Sequence, residues 1–148
     1  MYRKILVPVE GTDSSSAILN HAADLAKHVG AELIALQIIP VVPSEDYFFK
    51  QIQVEVGSAA HKAKAAAEAH LARVEANLRA QGITASGHVV VSDQVEAEAI
   101  VTHAQENGCD LIVVPNRTHA GIGRWLFSSL GDKVRRRSAV SKVPVLFV

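Results

Sequence analysis

Along the chain, short apolar runs alternate with longer stretches in which apolar residues recur every three or four positions, the pattern of βα units that feed a parallel sheet. Ile5-Leu-Val-Pro-Val9 is almost continuously apolar, as a strand covered by helices on both faces requires, and this predicts a central strand. Ile18, Ala22, Leu25 and Val29 then mark one face of a helix. Thr12, Asp13 and Ser14 offer oxygens for its cap, and Gly30 supplies the stop. Leu33 to Ile39 reads as a second strand, and Ser58 to Ala80 as a long alanine-rich helix striped by Ala60, Ala63, Ala67, Leu71, Val74 and Leu78 and ended by Gly82. Ile83 to Val91 is a third strand. Asp93, with Glu96 three residues on, resembles a capping pair for a helix that turns Ala97, Ile100 and Ala104 inward and closes at Gly108.

Asp110 to Pro115 is a fourth apolar strand, followed by a polar, glycine-bearing segment from Asn116 to Arg124 and a helix from near Ser128. A last strand runs from Val143 to Val148. Its Pro144 cannot donate to a ladder, which places this strand at a sheet edge. A short apolar edge needs cover, and the same strand of a second subunit would supply it, so a homodimer through Val143–Val148 is expected. Pro40 to Gly57 is longer than the usual connection and reads as a lid or a helical extension. Tyr47, Phe48 and Phe49 within it read as a patch covering the core or a partner subunit.

Composition narrows the function. At 148 residues the chain fits one domain, expected to span 1–148, and 49% apolar against 20% charged residues is ample for a packed core. Fifteen basic residues balance fifteen acidic ones, so no overall field draws the protein to nucleic acid or an anionic membrane. The longest apolar stretch, Leu33 to Val42, is broken by Gln37 and Pro40 and falls short of the roughly 20 residues of a membrane span. A single cysteine, Cys109, forms no internal disulfide and no zinc knuckle, which points to a soluble protein of a reducing cytoplasm.

Seven histidines raise the question of a metal. His21 and His28 are seven apart and His61 and His70 nine apart, whereas ligands that face one another on a helix are three or four apart, so no metal site is predicted. His119 lies in a segment with no assignable nucleophile or orienting carboxylate. Ser14, Ser15 and Ser16 are what a helix cap requires. Arg135-Arg-Arg137, with Lys133 and Lys142 nearby and Ser138 directly after, is the one concentrated basic patch. It reads as a cationic last turn that favours the helix dipole.

In a doubly wound sheet the ligand crevice lies at the carboxyl ends of the strands where the connections reverse direction. Glu10-Gly-Thr-Asp13, Ile38-Ile-Pro-Val41 and Pro115-Asn-Arg-Thr-His-Ala-Gly-Ile-Gly-Arg124, running on to Ser128-Ser129, converge there. Over essentially its whole length the chain resembles the universal stress protein family. The likeness is carried in order by Lys4-Ile-Leu-Val-Pro-Val-Glu-Gly-Thr12, Gly30-Ala-Glu-Leu33, Gly108-Cys-Asp-Leu-Ile-Val-Val114 and Pro144-Val-Leu-Phe-Val148.

The resemblance implies an α/β fold: a doubly wound five-stranded parallel sheet of order 3-2-1-4-5 with helices on both faces, flavodoxin-like or adenosine-hydrolase-like. It also implies a small cytoplasmic regulatory or protective dimer with no efficient turnover of its own. Many members bind ATP through Gly-x2-Gly-x9-Gly-Ser/Thr after the fourth strand. Here Pro115, Thr118 and Ser128 stand where the three glycines would be, and Ser129 keeps the hydroxyl. A phosphate cradle needs backbone N–H groups and often a positive φ. Pro115 has no N–H, and Thr118 is β-branched, at a cost of about 1–2 kcal/mol in a left-handed conformation. Ser128 still keeps its N–H and caps well.

The candidate nucleotide-binding residues are therefore Val9, Glu10, Gly11, Thr12, Asp13, Ile38, Val41, Asn116, Arg117, Thr118, Gly121, Arg124, Ser128 and Ser129. Arg117, His119 and Arg124 offer side chains to a phosphate. Glu10 stands at the family's usual aspartate, and Glu10 and Asp13 suit Mg²⁺ beside a triphosphate. Two readings follow: a non-enzymatic interaction module whose crevice binds nucleotide weakly or not at all, or an ATP- or AMP-binding protein with at most slow hydrolysis. A flavin-binding module is a third class, for which nothing in the sequence specifically asks.

Overall fold

The computed structural model describes residues 1–10, 16–40, 47–115 and 129–148, with the side chains of 1–10, 17–40, 60–115 and 133–148. In chain order the elements are β1 (Lys4–Pro8), α1 (Ser16–Val29), β2 (Glu32–Pro40), α2 (Tyr47–Ala80), β3 (Ala85–Ser92), α3 (Glu96–Glu106), β4 (Leu111–Val114), α4 (Ser129–Ser141) and β5 (Val145–Phe147). The strands form one parallel sheet in the order β3-β2-β1-β4-β5, the order that the family resemblance implies.

Alternation along the strands divides the core in two. Ile5, Val7 and Val9 of the first strand segment join Leu33, Ala35, Leu111 and Val113 on the face packed by Ile18, Ala22 and Ala26 of α1 and by Leu71 and Leu78 of α2. Leu6, Ile34, Leu36, Ile112 and Val114 point to the opposite face, where Ala97, Ile100 and Ala104 of α3 and Val134 of α4 cover them. Because β1, β2 and β4 are buried on both faces, period 2 disappears from their sequences and unbroken apolar runs remain. Gly30 and Gly108 end α1 and α3 at φ of +69° and +67°, a conformation in which a Cβ is strained.

Several boundaries differ from expectation. The helix expected from Ser58 begins at Tyr47, so residues 47–57 are a helical extension; the side chains of Tyr47, Phe48 and Phe49 lie outside the described residues. A 34-residue helix is about 51 Å long, against about 30 Å for nine-residue β2. Residues 61–66 are accordingly exposed, including Ala63, and the buried part of the stripe starts at Ala67. Asp93 does not cap α3: Val95 is the cap residue, with no side-chain hydrogen bond. Instead the Ser92 hydroxyl accepts from the Gln94 N–H at 3.1 Å within the turn.

The third strand starts at Ala85 and not at Ile83. The fifth contracts to Val145–Phe147, with the Pro144 carbonyl still accepting from Ile112 N–H and Val143 packed into the core. Since α4 continues to Ser141, Arg135–Arg137 occupy its middle and its last turn holds no basic residue, contrary to the expected dipole role. Arg137 instead faces Glu98 of α3 at 3.6 Å.

Candidate functional site

The chain runs leftward from β1 to β2 and β3, then crosses back to β4 and β5, so the connections reverse between β1 and β4. The carboxyl ends of these two strands are where a doubly wound sheet of this order takes its ligands. The first residues of α1 and α4, Ser16 and Ser129, follow those strands, so both helices begin on this side of the sheet and direct the positive ends of their dipoles toward it.

Val9 is buried and donates its N–H to Leu36 O at 2.8 Å, which fixes the exit of β1 against β2. Glu10, half-buried, comes next. Ile38 is buried near the end of β2, opposite Val90. Pro115 is buried directly after β4. Thus Val9, Glu10, Ile38 and the backbone of Ser129 lie on the side of the sheet at which its strands end. Gly11, Thr12, Asp13, Val41, Asn116, Arg117, Thr118, Gly121, Arg124 and Ser128 lie outside the described residues, and with them the proposed Mg²⁺ contact of Asp13 and the cap oxygens of Thr12, Asp13 and Ser14.

Sequence reasoning passed over Gln37. Its side chain is half-buried near the end of β2, and its Oε1 is shut off from solvent with no hydrogen-bond partner among the described residues. A lone amide inside an otherwise apolar strand run was the available signal, since an apolar side chain there would be cheaper to bury. Besides Gln37 and Glu10, the described residues at these strand ends, Val9, Ile38 and Pro115, are apolar. Val9 and Ile38 offer an apolar surface to a flat ring system.

The opposite edge of the sheet carries structural chemistry. The Asp110 carboxylate accepts from Arg3 N–H at 2.9 Å and Lys4 N–H at 3.0 Å, tying the start of β4 to the start of β1. Burial works to raise its pKa, but these backbone donors and the Arg3 charge hold it below the ordinary carboxylate value. Burial pushes the adjacent Cys109 thiol up to about 11. It is protonated at neutral pH and packs as a small apolar residue. Among the described residues, no group of three or more His, Cys, Asp or Glu side chains is placed to hold a metal, and no helix is long and apolar enough to cross a membrane.

Comparison with known proteins gives a consistent result. The sequence pattern of the Universal stress protein family matches residues 1–148. Universal stress protein YxiE of Bacillus subtilis is 31% identical, with the match covering 100% of this chain and 99% of the relative. Among solved structures, a universal stress protein in complex with cAMP is 27% identical with a TM-score of 0.66, covering 99% of this chain and 96% of the other. Universal stress protein UspA from Lactobacillus plantarum, at 19% identity and a TM-score of 0.75 over 99% of this chain and 97% of the other, has the same fold.

Proposed function

The chain belongs to the universal stress protein family, and from that premise we propose that it is a regulatory or protective dimer of the cytoplasm, without efficient turnover, whose crevice binds adenine nucleotide weakly. The observation that carries this reading is Pro115. It is buried at the end of β4, where the family's ATP-binding pattern opens with a glycine, and it removes one backbone donor from the place where a phosphate turn begins. Thr118 at the second glycine position adds a β-branched side chain. What remains is an apolar floor at Val9 and Ile38 and a helix start at Ser129, which suits a nucleoside better than a triphosphate.

A second reading, full ATP or AMP binding with Mg²⁺ and slow hydrolysis, is favoured by the cAMP bound to a 27% identical neighbour. Thermal melting of the full chain with millimolar Mg-ATP, AMP and cAMP separates the two. A ligand at 100 times its Kd adds about 2.7 kcal/mol of stability. Negligible shifts with Mg-ATP and small ones with AMP or cAMP are expected. A large Mg-ATP shift that disappears in Ser129→Trp establishes the second reading instead.

The dimer is proposed to form through the outer edge of β5. Backbone alternation in a parallel ladder turns Pro144 and Val148 toward β4, where they pair with Ile112 and Val114, and so turns the N–H and C=O groups of Val145 and Phe147 outward. Leu146 is 39% exposed beside them. A cavity of about 330 Å³ lined by Ala139, Val143 and Val145 flanks the strand on one face, and one of about 360 Å³ lined by Leu25, Leu146 and Val148 on the other.

A further inference from the structure

At the far edge of the sheet from β5, two histidines from different elements meet. His88 Nδ1 of β3 and His103 Nε2 of α3 are 2.7 Å apart, with ring centroids at 5.0 Å and ring planes at 87°. Both side chains are half-buried, and the pair bridges an edge strand to the helix that carries the chain back across the sheet. We propose that this pair is a proton-operated latch, which fastens α3 to β3 while at most one of the two imidazoles is charged and releases them when both are.

Imidazole chemistry dictates the two states. A hydrogen bond between ring nitrogens needs one N–H and one lone pair. Two neutral rings satisfy it, and a neutral ring beside an imidazolium satisfies it with a stronger, charge-assisted bond. When both rings are protonated, both facing nitrogens carry hydrogens and two positive charges meet in a partly desolvated space. The bond is then lost and the rings repel.

The charges around His103 agree with this order. Burial and the neighbouring His88 lower its pKa from 6.5, and only Glu106, one turn on in α3, opposes them. Arg137 of α4 is engaged by Glu98. On the other face of β3, Arg79 and Glu75 of α2 are paired at 2.8 Å. Because the folded state favours neutral His103, the stability it contributes is present above pH 6.5 and falls as the pH drops below that value.

Release would be local. Ala97, Ile100 and Ala104 keep α3 in the core with β2 and α4 whatever the charge of the latch, whereas β3 is an edge with one strand neighbour. Amide hydrogen exchange of the full chain at pH 7.5 and pH 5, corrected for intrinsic rates, tests the latch on the amides of Ala85–Ser92. Expected is a several-fold loss of protection on acidification in the wild type and a pH-independent level in His103→Gln. No acid loss in the wild type, or an equal loss in the variant, overturns the proposal. His88→Gln, which must also remove the acid response, serves should the first variant not fold. Ring NMR of the wild type adds an independent readout: His103 must titrate below pH 6.5 and in step with the exchange, and titration above it refutes the latch.

Discussion

The two edges of the sheet are treated in opposite ways. The β3 edge is eight residues long, registers with β2 at eight positions, and is guarded in its first half by the protein's own side chains. Arg79 Nε donates to Ala85 O at 3.2 Å, and Glu75 Oε2 accepts from Gly87 N–H at 3.0 Å. One helical turn of α2 thereby takes an outward acceptor and an outward donor of the strand. His88 and His103 hold the same strand from the other face. The β5 edge has three residues and three registered pairs, with exposed Leu146 and hollows on both sides. An edge strand is a template for another chain unless something occupies its backbone groups. Here side chains spaced by one helical turn occupy an acceptor and a donor of one edge, whereas among the described residues nothing occupies the outward groups of the other, where the proposed partner copy pairs.

The strongest way to break this contrast is to pry α2 off β3. A Cβ built on Gly87 would lie 2.7 Å from Leu71 Cβ and 3.2 Å from the Leu71 carbonyl oxygen, neither of which can swing away. Gly87→Val is therefore expected to cost about 3 kcal/mol by overpacking, read as a lower urea midpoint. A midpoint equal to wild type would show that the helix does not grip this strand. On the open edge, Leu146→Glu places two carboxylates at a self-paired strand. The expected result in sedimentation is a dimer dissociation constant raised at least tenfold, about 1.4 kcal/mol, with little change in monomer melting. An unaltered dimer would move the interface elsewhere. The smallest effect is expected for Glu75→Ala, about 1 kcal/mol after allowance for the exposure of its Arg79 partner. Its value lies in the accompanying gain of self-association through β3, detectable by light scattering and absent if Glu75 does not guard that edge.

The central strands were legible in the sequence because burial on both faces leaves a direct mark: Ile5–Val9, Leu33–Ile39 and Leu111–Val114 carry almost no polar residue. Helix ends at Gly30, Gly82 and Gly108 were legible for a similar local reason, since all three have positive φ. The start of α2 was not: Phe49, Ile52 and Val56 recur at helical spacing, but the length of Pro40–Gly57 fitted a lid as well as a helical extension. Asp93 looked like a cap because spacing alone cannot show that the chain enters α3 two residues later, at Val95. Of the candidate site, topology selected Val9, Glu10 and Ile38 at the strand ends, and Gln37 was passed over inside its apolar run.

What the sequence determined by itself is whatever depends on neighbours a few residues away: strand and helix periodicity, glycine stops, the proline that confines the last strand to an edge, and the missing donor at Pro115. The tertiary structure alone decided which distant groups meet. His88 reaches His103, Glu75 reaches Gly87, and Asp110 reaches Arg3 and Lys4. Periodicity specifies which way a side chain faces on its own element. Only the packing of one element against another specifies what it faces, so the guarded edge and the open one become distinct once the sheet has formed.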